Sequence, residues 1–125
     1  MIDAPPNAPL CAAPDPSPRA PNFKMPVGAC DSHAHICGPI SDFAYSPDRI
    51  YTPPDCLLAD YNQMLSTLGV EKAVLVQPSI YGTDNTVMLK AMAETPMPAE
   101  NGVEPHGCCV PARRFHHLCG ATCVP

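Results

Sequence analysis

The sequence lacks the features that would place it in a membrane or on nucleic acid. Its 125 residues contain no apolar run that approaches the roughly 18 residues of a membrane-spanning helix. The net charge of -5 lies entirely between Val27 and Glu94, because the charges before and after that stretch cancel. No basic stripe is available for nucleic acid and no polybasic segment for a lipid surface. Small molecules are the expected partners, and nothing in the sequence sets an oligomeric state.

The first residues also lack the pattern of an export signal. They have no basic n-region and no continuous hydrophobic core, so no signal peptide is predicted and a cytoplasmic location is expected. The eight cysteines are accordingly interpreted as free thiols rather than as a disulfide framework. Cys30, Cys37 and Cys56 are predicted to be small buried hydrophobic side chains.

Residues 1–26 hold eight of the 18 prolines and show neither helical nor strand periodicity. This composition predicts a disordered or polyproline-like leader. A proline-rich ligand for a groove-binding module is the alternative interpretation of the same residues.

Residues 27–94 predict the order strand, helix, strand, helix. Strands are predicted over 27–36 and 70–77, and the apolar core of the second is typical of a parallel strand buried on both faces. Helices are predicted over 53–68 and 84–94, the first capped by Thr52 and ended by Gly69. Parallel strands with crossover helices indicate an α/β sheet or barrel. Two strands leave both sheet edges open, so this stretch is not expected to fold stably alone.

Hydrophobic periodicity is lost in residues 95–125, and no third strand is predicted there. An unpatterned mixture of Cys, Arg, Pro, His and Gly is what a GC-rich gene yields in the wrong frame, so this irregular tail is interpreted as a frameshift. The alternative is a small zinc-binding or interaction module, although only Cys119 and Cys123 have suitable spacing. The candidate ligands would be His106, Cys108, Cys109, His116, His117, Cys119 and Cys123.

The candidate site lies at the end of the first predicted strand, in the segment VGACDSHAHI of residues 27–36. Alternate side chains of an extended strand share a face, so Asp31, His33 and His35 are predicted to project together. Two imidazoles on one face make half a metal site. The alternative is a pair of histidines with ordinary hydrogen-bond partners.

Three motifs together resemble a known family. DSHAH at 31–35, YTP at 51–53 and VLVQPSIYGTDN at 74–85 are similar to the start of amidohydrolase-related, metal-dependent hydrolases, and most of all to 2-pyrone-4,6-dicarboxylate lactonases and related dicarboxylate lactonases. The resemblance covers residues 26–97. It implies the first two β/α units of an incomplete (β/α)8 TIM barrel, with irregular tails on both sides.

The resemblance also implies roles for individual residues. His33 and His35 would be catalytic, either binding a divalent metal such as zinc or, without metal, positioning and polarising the lactone. Tyr51 and Ser79 match positions that help to hold substrate carboxylates, with packing at the rim and helix capping as the alternatives. Asp31 would be a second-layer acceptor that orients a histidine.

The implied reaction is hydrolysis of a carboxylated lactone or a related C–O or C–N bond. Members of the family take a further histidine, a water-activating aspartate and carboxylate-binding arginines from later strands, and nothing in this chain matches those motifs. The chain is therefore expected to be inactive by itself, as the N-terminal part of a hydrolase or as a non-functional truncated product.

Overall fold

The computed structural model describes residues 8–95 and the backbone of residues 104–108. Three parallel strands form one sheet in the order β1 (Cys30–Ala34), β2 (Lys72–Val76) and β3 (Glu104–Cys108). Helix α1 (Leu58–Leu68) connects β1 to β2, and α2 (Thr86–Glu94) connects β2 to β3. The fold class is α/β, and sequential strands that pair with their immediate neighbours are the arrangement found in a segment of a barrel.

The two predicted strands and two predicted helices are all present, with shorter bounds. Helix α1 begins at Leu58, later than the sequence predicted, and the Thr52 hydroxyl does not cap it. Its first turn is instead closed by Asp60, whose carboxylate accepts the Leu57 N–H at 3.3 Å. Gly69 ends the helix in the left-handed conformation at φ 73°, as the sequence predicted.

The leader was predicted to be disordered or polyproline-like, and its described part makes backbone hydrogen bonds to the domain. Leu10 and Thr52 form an isolated parallel bridge. Thr52 donates its N–H to the Pro9 carbonyl at 2.8 Å, and its own carbonyl accepts the Cys11 N–H at 3.0 Å. Thr52 lies outside the helices and strands that would satisfy its backbone groups, and the leader supplies those partners.

The strand β3 lies in the tail for which no strand was predicted. Its five residues, EPHGC, pair in register with β2 from Lys72 opposite Glu104 to Val76 opposite Cys108. Because β3 contains proline and glycine, its sequence shows no alternation of polar and apolar residues. Pro105 is tolerated because β3 is the last strand of the sheet, and proline lacks the N–H that a central strand would need for a second neighbour. Of the candidate zinc ligands, His106 and Cys108 belong to β3, and the other five lie outside the described residues.

The core lies between the sheet and the helices. Its largest fully buried side chains are Leu65, Leu75, Ile80 and Met88. Cys37 is buried and Cys56 half-buried, whereas Cys30 is exposed, contrary to the prediction, because it occupies the first position of β1. In the described part of the chain, no helix is long and apolar enough to cross a membrane.

Candidate functional site

The structure brings the imidazoles of His33 and His35 together at the carboxyl end of β1. Their ring centroids lie 4.9 Å apart with the ring planes at 90°, and both residues are exposed. In parallel α/β folds, functional residues lie at the carboxyl ends of the strands, where the loops that follow the strands form the binding site. The two histidines therefore occupy the edge of the sheet where a ligand would be bound.

A backbone carbonyl fixes the orientation of one ring. Nδ1 of His35 lies 2.8 Å from the carbonyl oxygen of Val76, the last residue of β2. Because a carbonyl oxygen can only accept, Nδ1 must carry the proton, and neutral His35 then presents the lone pair of Nε2. An oriented ring with one accepting nitrogen suits binding of a cation or acceptance of a proton.

The pairing of β1 with β2 contains a bulge between Asp31 and Ala34, a stretch that includes His33. Asp31 pairs with Ala73 and Ala34 with Leu75, so the three-residue step in β1 faces a two-residue step in β2. Ala73 and Leu75 are both buried, and their partners in a parallel ladder project to the same side of the sheet. The expectation that Asp31 shares a face with the histidines was therefore wrong: it projects toward the helices.

The contacts of Asp31 agree with that placement. One carboxylate oxygen accepts the Tyr61 hydroxyl of α1 at 2.9 Å, and the other accepts the backbone N–H of His33 at 3.2 Å. Burial, and then the hydrogen bond to Asp31, raise the pKa of the Tyr61 phenol. Asp31 thus joins the histidine segment to α1 through the backbone, where the resemblance implied a bond to an imidazole ring.

No role for Tyr61 was predicted from the sequence. Its residue type could have indicated the contact, because the hydroxyl of a tyrosine on the buried side of a helix usually has a hydrogen-bond partner. The structure supplies Asp31 as that partner.

Tyr51 and Ser79 do not join the histidine pair by any hydrogen bond within residues 8–95. Tyr51 is half-buried and packs against the hydrophobic core. Ser79 is exposed at the start of the short 3-10 helix Ser79–Tyr81, where its carbonyl accepts the Gly82 N–H at 3.0 Å. Their roles in carboxylate binding stay predictions.

The loop between β1 and α1 is held by buried polar side chains. Arg49, only 6% exposed, donates from Nε to the Thr52 hydroxyl at 3.1 Å and from Nη1 to the Ser46 carbonyl at 3.2 Å. Its guanidinium also lies 5.7 Å from the ring centroid of Tyr45. On the other side of the loop, the Tyr81 hydroxyl accepts the Gly38 N–H at 2.7 Å. These contacts fix the backbone on both sides of Tyr51.

The described residues fit only part of a metal site. A catalytic zinc ion commonly has three protein ligands, and among residues 8–95 no group of three or more His, Cys, Asp or Glu side chains could hold a metal ion. His33 and His35 supply two nitrogen donors, and Asp31 is directed elsewhere.

Alkaline pH is expected to destabilise the fold. Burial is the largest cause that raises the pKa of the Cys37 thiol from 9.0 to about 12 and of the Tyr81 phenol from 10.0 to about 12. Below pH 9.0 both groups are protonated in either state, so their full contribution to stability is present. Above pH 9.0 the unfolded chain ionises first, and stability falls until about pH 12.

Guanidinium unfolding under reducing conditions at a series of pH values measures this loss. Phenolate absorbance of the folded protein should also rise at higher pH than that of the denatured chain. A free energy of unfolding that stays level from pH 9.0 to about 12 would contradict the expectation.

Comparison with known proteins identifies the family of this chain. Residues 30–104 match the family model described as Amidohydrolase, and because this is more than half of the chain, the protein belongs to the amidohydrolase family. The resemblance found in the sequence is thereby confirmed.

Two relatives of the chain are named as lactone hydrolases. The chain is 37% identical over 98 residues to 4-sulfomuconolactone hydrolase of Rhizobium radiobacter, covering 78% of this chain and 33% of the relative. It is 40% identical over 75 residues to 2-pyrone-4,6-dicarboxylate hydrolase of Comamonas testosteroni, covering 60% of this chain and 25% of that protein.

A solved structure gives the same result for the fold. A probable 2-pyrone-4,6-dicarboxylic acid hydrolase of Acinetobacter baumannii, crystallised with citric acid, superposes with a TM-score of 0.56 at 26% identity, covering 67% of this chain and 29% of that one. The chain thus spans a quarter to a third of the length of these relatives.

Proposed function

We propose that this chain forms the first β/α units of a (β/α)8 barrel that hydrolyses an anionic lactone, with His33 and His35 acting at the lactone carbonyl. The observation that carries the proposal is the edge-to-face imidazole pair, 4.9 Å between centroids, at the carboxyl end of β1. The sequential strand order supports the barrel, and the lactones that the relatives are named for support the substrate class. Residues 1–26 would precede the barrel and residues 95–125 would follow its second unit, with β3 extending the sheet.

The imidazole pair suits lactone hydrolysis in either of two ways. With the Nδ1 proton donated to the Val76 carbonyl, Nε2 of His35 is the nitrogen left to hold an attacking water or to bind a cation. A divalent metal such as zinc, when bound by His33 and His35 together with groups outside the described residues, would acidify a water and polarise the carbonyl. Tyr51 and Ser79 would bind the substrate carboxylates, since a hydroxyl orients a carboxylate by donating a hydrogen bond.

The proposal is tested by a chimera in which residues 30–94 of this chain replace the matching segment of the Comamonas testosteroni enzyme. The chimera is expected to hydrolyse 2-pyrone-4,6-dicarboxylate, because this chain would supply the histidine pair and the relative would supply the later strands. The isolated 125-residue chain is expected to show no turnover.

Two controls make the result decisive. The parent enzyme sets the full rate, and circular dichroism and thermal melting establish that the chimera is folded. A folded chimera without activity on this lactone or on 4-sulfomuconolactone would refute the proposed function. Loss of turnover on chelation, with recovery on addition of zinc, would assign the metal-dependent route.

A further inference from the structure

Two cysteines face each other at the base of the loop between β1 and α1. Cys37 and Cys56 form an isolated antiparallel bridge, in which each donates its backbone N–H to the other's carbonyl, at 3.0 and 2.7 Å. In such a pair the Cα atoms lie about 5.5 Å apart and both side chains project to the same side. A disulfide requires a Cα separation of about 4.4 to 6.8 Å, so this backbone already satisfies that requirement.

The environment of the two thiols favours a neutral product. Cys37 is 5% exposed and Cys56 is half-buried, and both are free thiols. Burial raises the pKa of both thiols, so each is protonated at neutral pH and only a small fraction is present as the reactive thiolate. A disulfide carries no charge, and burial does not oppose it.

Cys37 and Cys56 lie at the two ends of the loop that connects β1 to α1. Residues 38–55 between the two cysteines form the loop that contains Tyr45, Arg49 and Tyr51. A covalent bond at the base would join both ends of that loop and restrict its opening.

We propose that Cys37 and Cys56 are a site of reversible disulfide formation that closes the base of the β1–α1 loop. With oxidised glutathione as the oxidant, the more accessible Cys56 attacks one glutathione sulfur and releases the first reduced glutathione. Cys37 then attacks the Cys56 sulfur, the mixed disulfide breaks, and the second glutathione leaves. The protein loses two electrons and two protons, which the two released glutathione molecules gain.

The bond is expected to be easily reduced. In a directly opposed antiparallel pair the Cβ atoms lie about 4.5 to 5.5 Å apart, whereas a relaxed disulfide holds them at about 3.5 to 4.5 Å. Strained disulfides have higher reduction potentials and are readily reversed.

Tryptic mapping of the full chain after treatment with oxidised glutathione tests the proposal. Cleavage at Lys24, Arg49 and Lys72 places Cys37 in peptide 25–49 and Cys56 in peptide 50–72. The variant Cys30→Ser leaves Cys37 as the only thiol of its peptide. The expected result is a dominant 25–49 to 50–72 link in native buffer that dithiothreitol reverses and Cys37→Ser abolishes.

The same oxidation in denaturing guanidinium provides the matched comparison, because in an unfolded chain no structure holds Cys37 and Cys56 together. The native rate should rise about tenfold per pH unit between about pH 7 and about pH 9, as the thiolate fraction does. A link that is absent, that is equally abundant in guanidinium, or that joins Cys56 to the exposed Cys11 would overturn the proposal.

Discussion

His33→Ala in the active chimera is expected to lower kcat/KM at least about 10³-fold, or about 4 kcal/mol of transition-state stabilisation. The imidazole of His33 contacts that of His35, so its removal breaks the pair on which the proposed chemistry depends. His35→Ala is expected to have a similar effect, because the Val76 carbonyl orients the His35 ring so that Nε2 is available for the proposed reaction. The loss should appear mainly in kcat, since neither imidazole is assigned to hold the substrate carboxylates.

Gln63→Ala is the matched control for these variants. Gln63 is an exposed polar side chain of α1, and its truncation should leave kcat and KM within twofold or so of the chimera, as expected for a surface position. Steady-state kinetics on folded variants decides the outcome. If kcat/KM of His33→Ala stayed within about tenfold of the chimera, the histidines would have no direct part in the reaction.

The second large effect concerns stability. Leu65→Ala is expected to cost about 2 to 5 kcal/mol, because the Leu65 side chain is fully buried and its truncation leaves a cavity. Leu89→Ala makes the same chemical change in the other helix, where the side chain is 47% exposed, and should alter stability by about 0.5 kcal/mol or less.

Guanidinium unfolding followed by circular dichroism compares the two variants. A three-stranded sheet with open edges has little stability to lose, so Leu65→Ala is expected to abolish the cooperative transition altogether. Equal effects of Leu65→Ala and Leu89→Ala would mean that the Leu65 side chain is not buried as described.

The successes and errors of the sequence predictions have physical causes. Gly69 was correctly placed as the end of α1 because a left-handed cap is a local property of the backbone. The start of α1 was placed too early because Thr52, a plausible cap by residue type, pairs with the leader. That pairing spans more than 40 residues of sequence, and no local pattern contains it.

The candidate site shows the same division. The spacing of His33 and His35 was sufficient to predict that their rings lie together at the end of β1, because residues two apart in an extended segment project to the same side. Asp31 was misplaced because the bulge between Asp31 and Ala34 changes the alternation of side chains by one position. Tyr61 became its partner only through the packing of α1.

The sequence by itself determined the class of fold, the family and the histidine pair, since these depend on hydrophobic periodicity and on motifs within short stretches. Only the tertiary structure decided which groups surround the pair. The Val76 carbonyl orients His35, and the Tyr61 hydroxyl donates a hydrogen bond to Asp31. The strand β3 forms in a segment without strand periodicity. Each of these depends on hydrogen bonds between segments distant in sequence, which arise when backbone and polar groups must be satisfied as the chain packs.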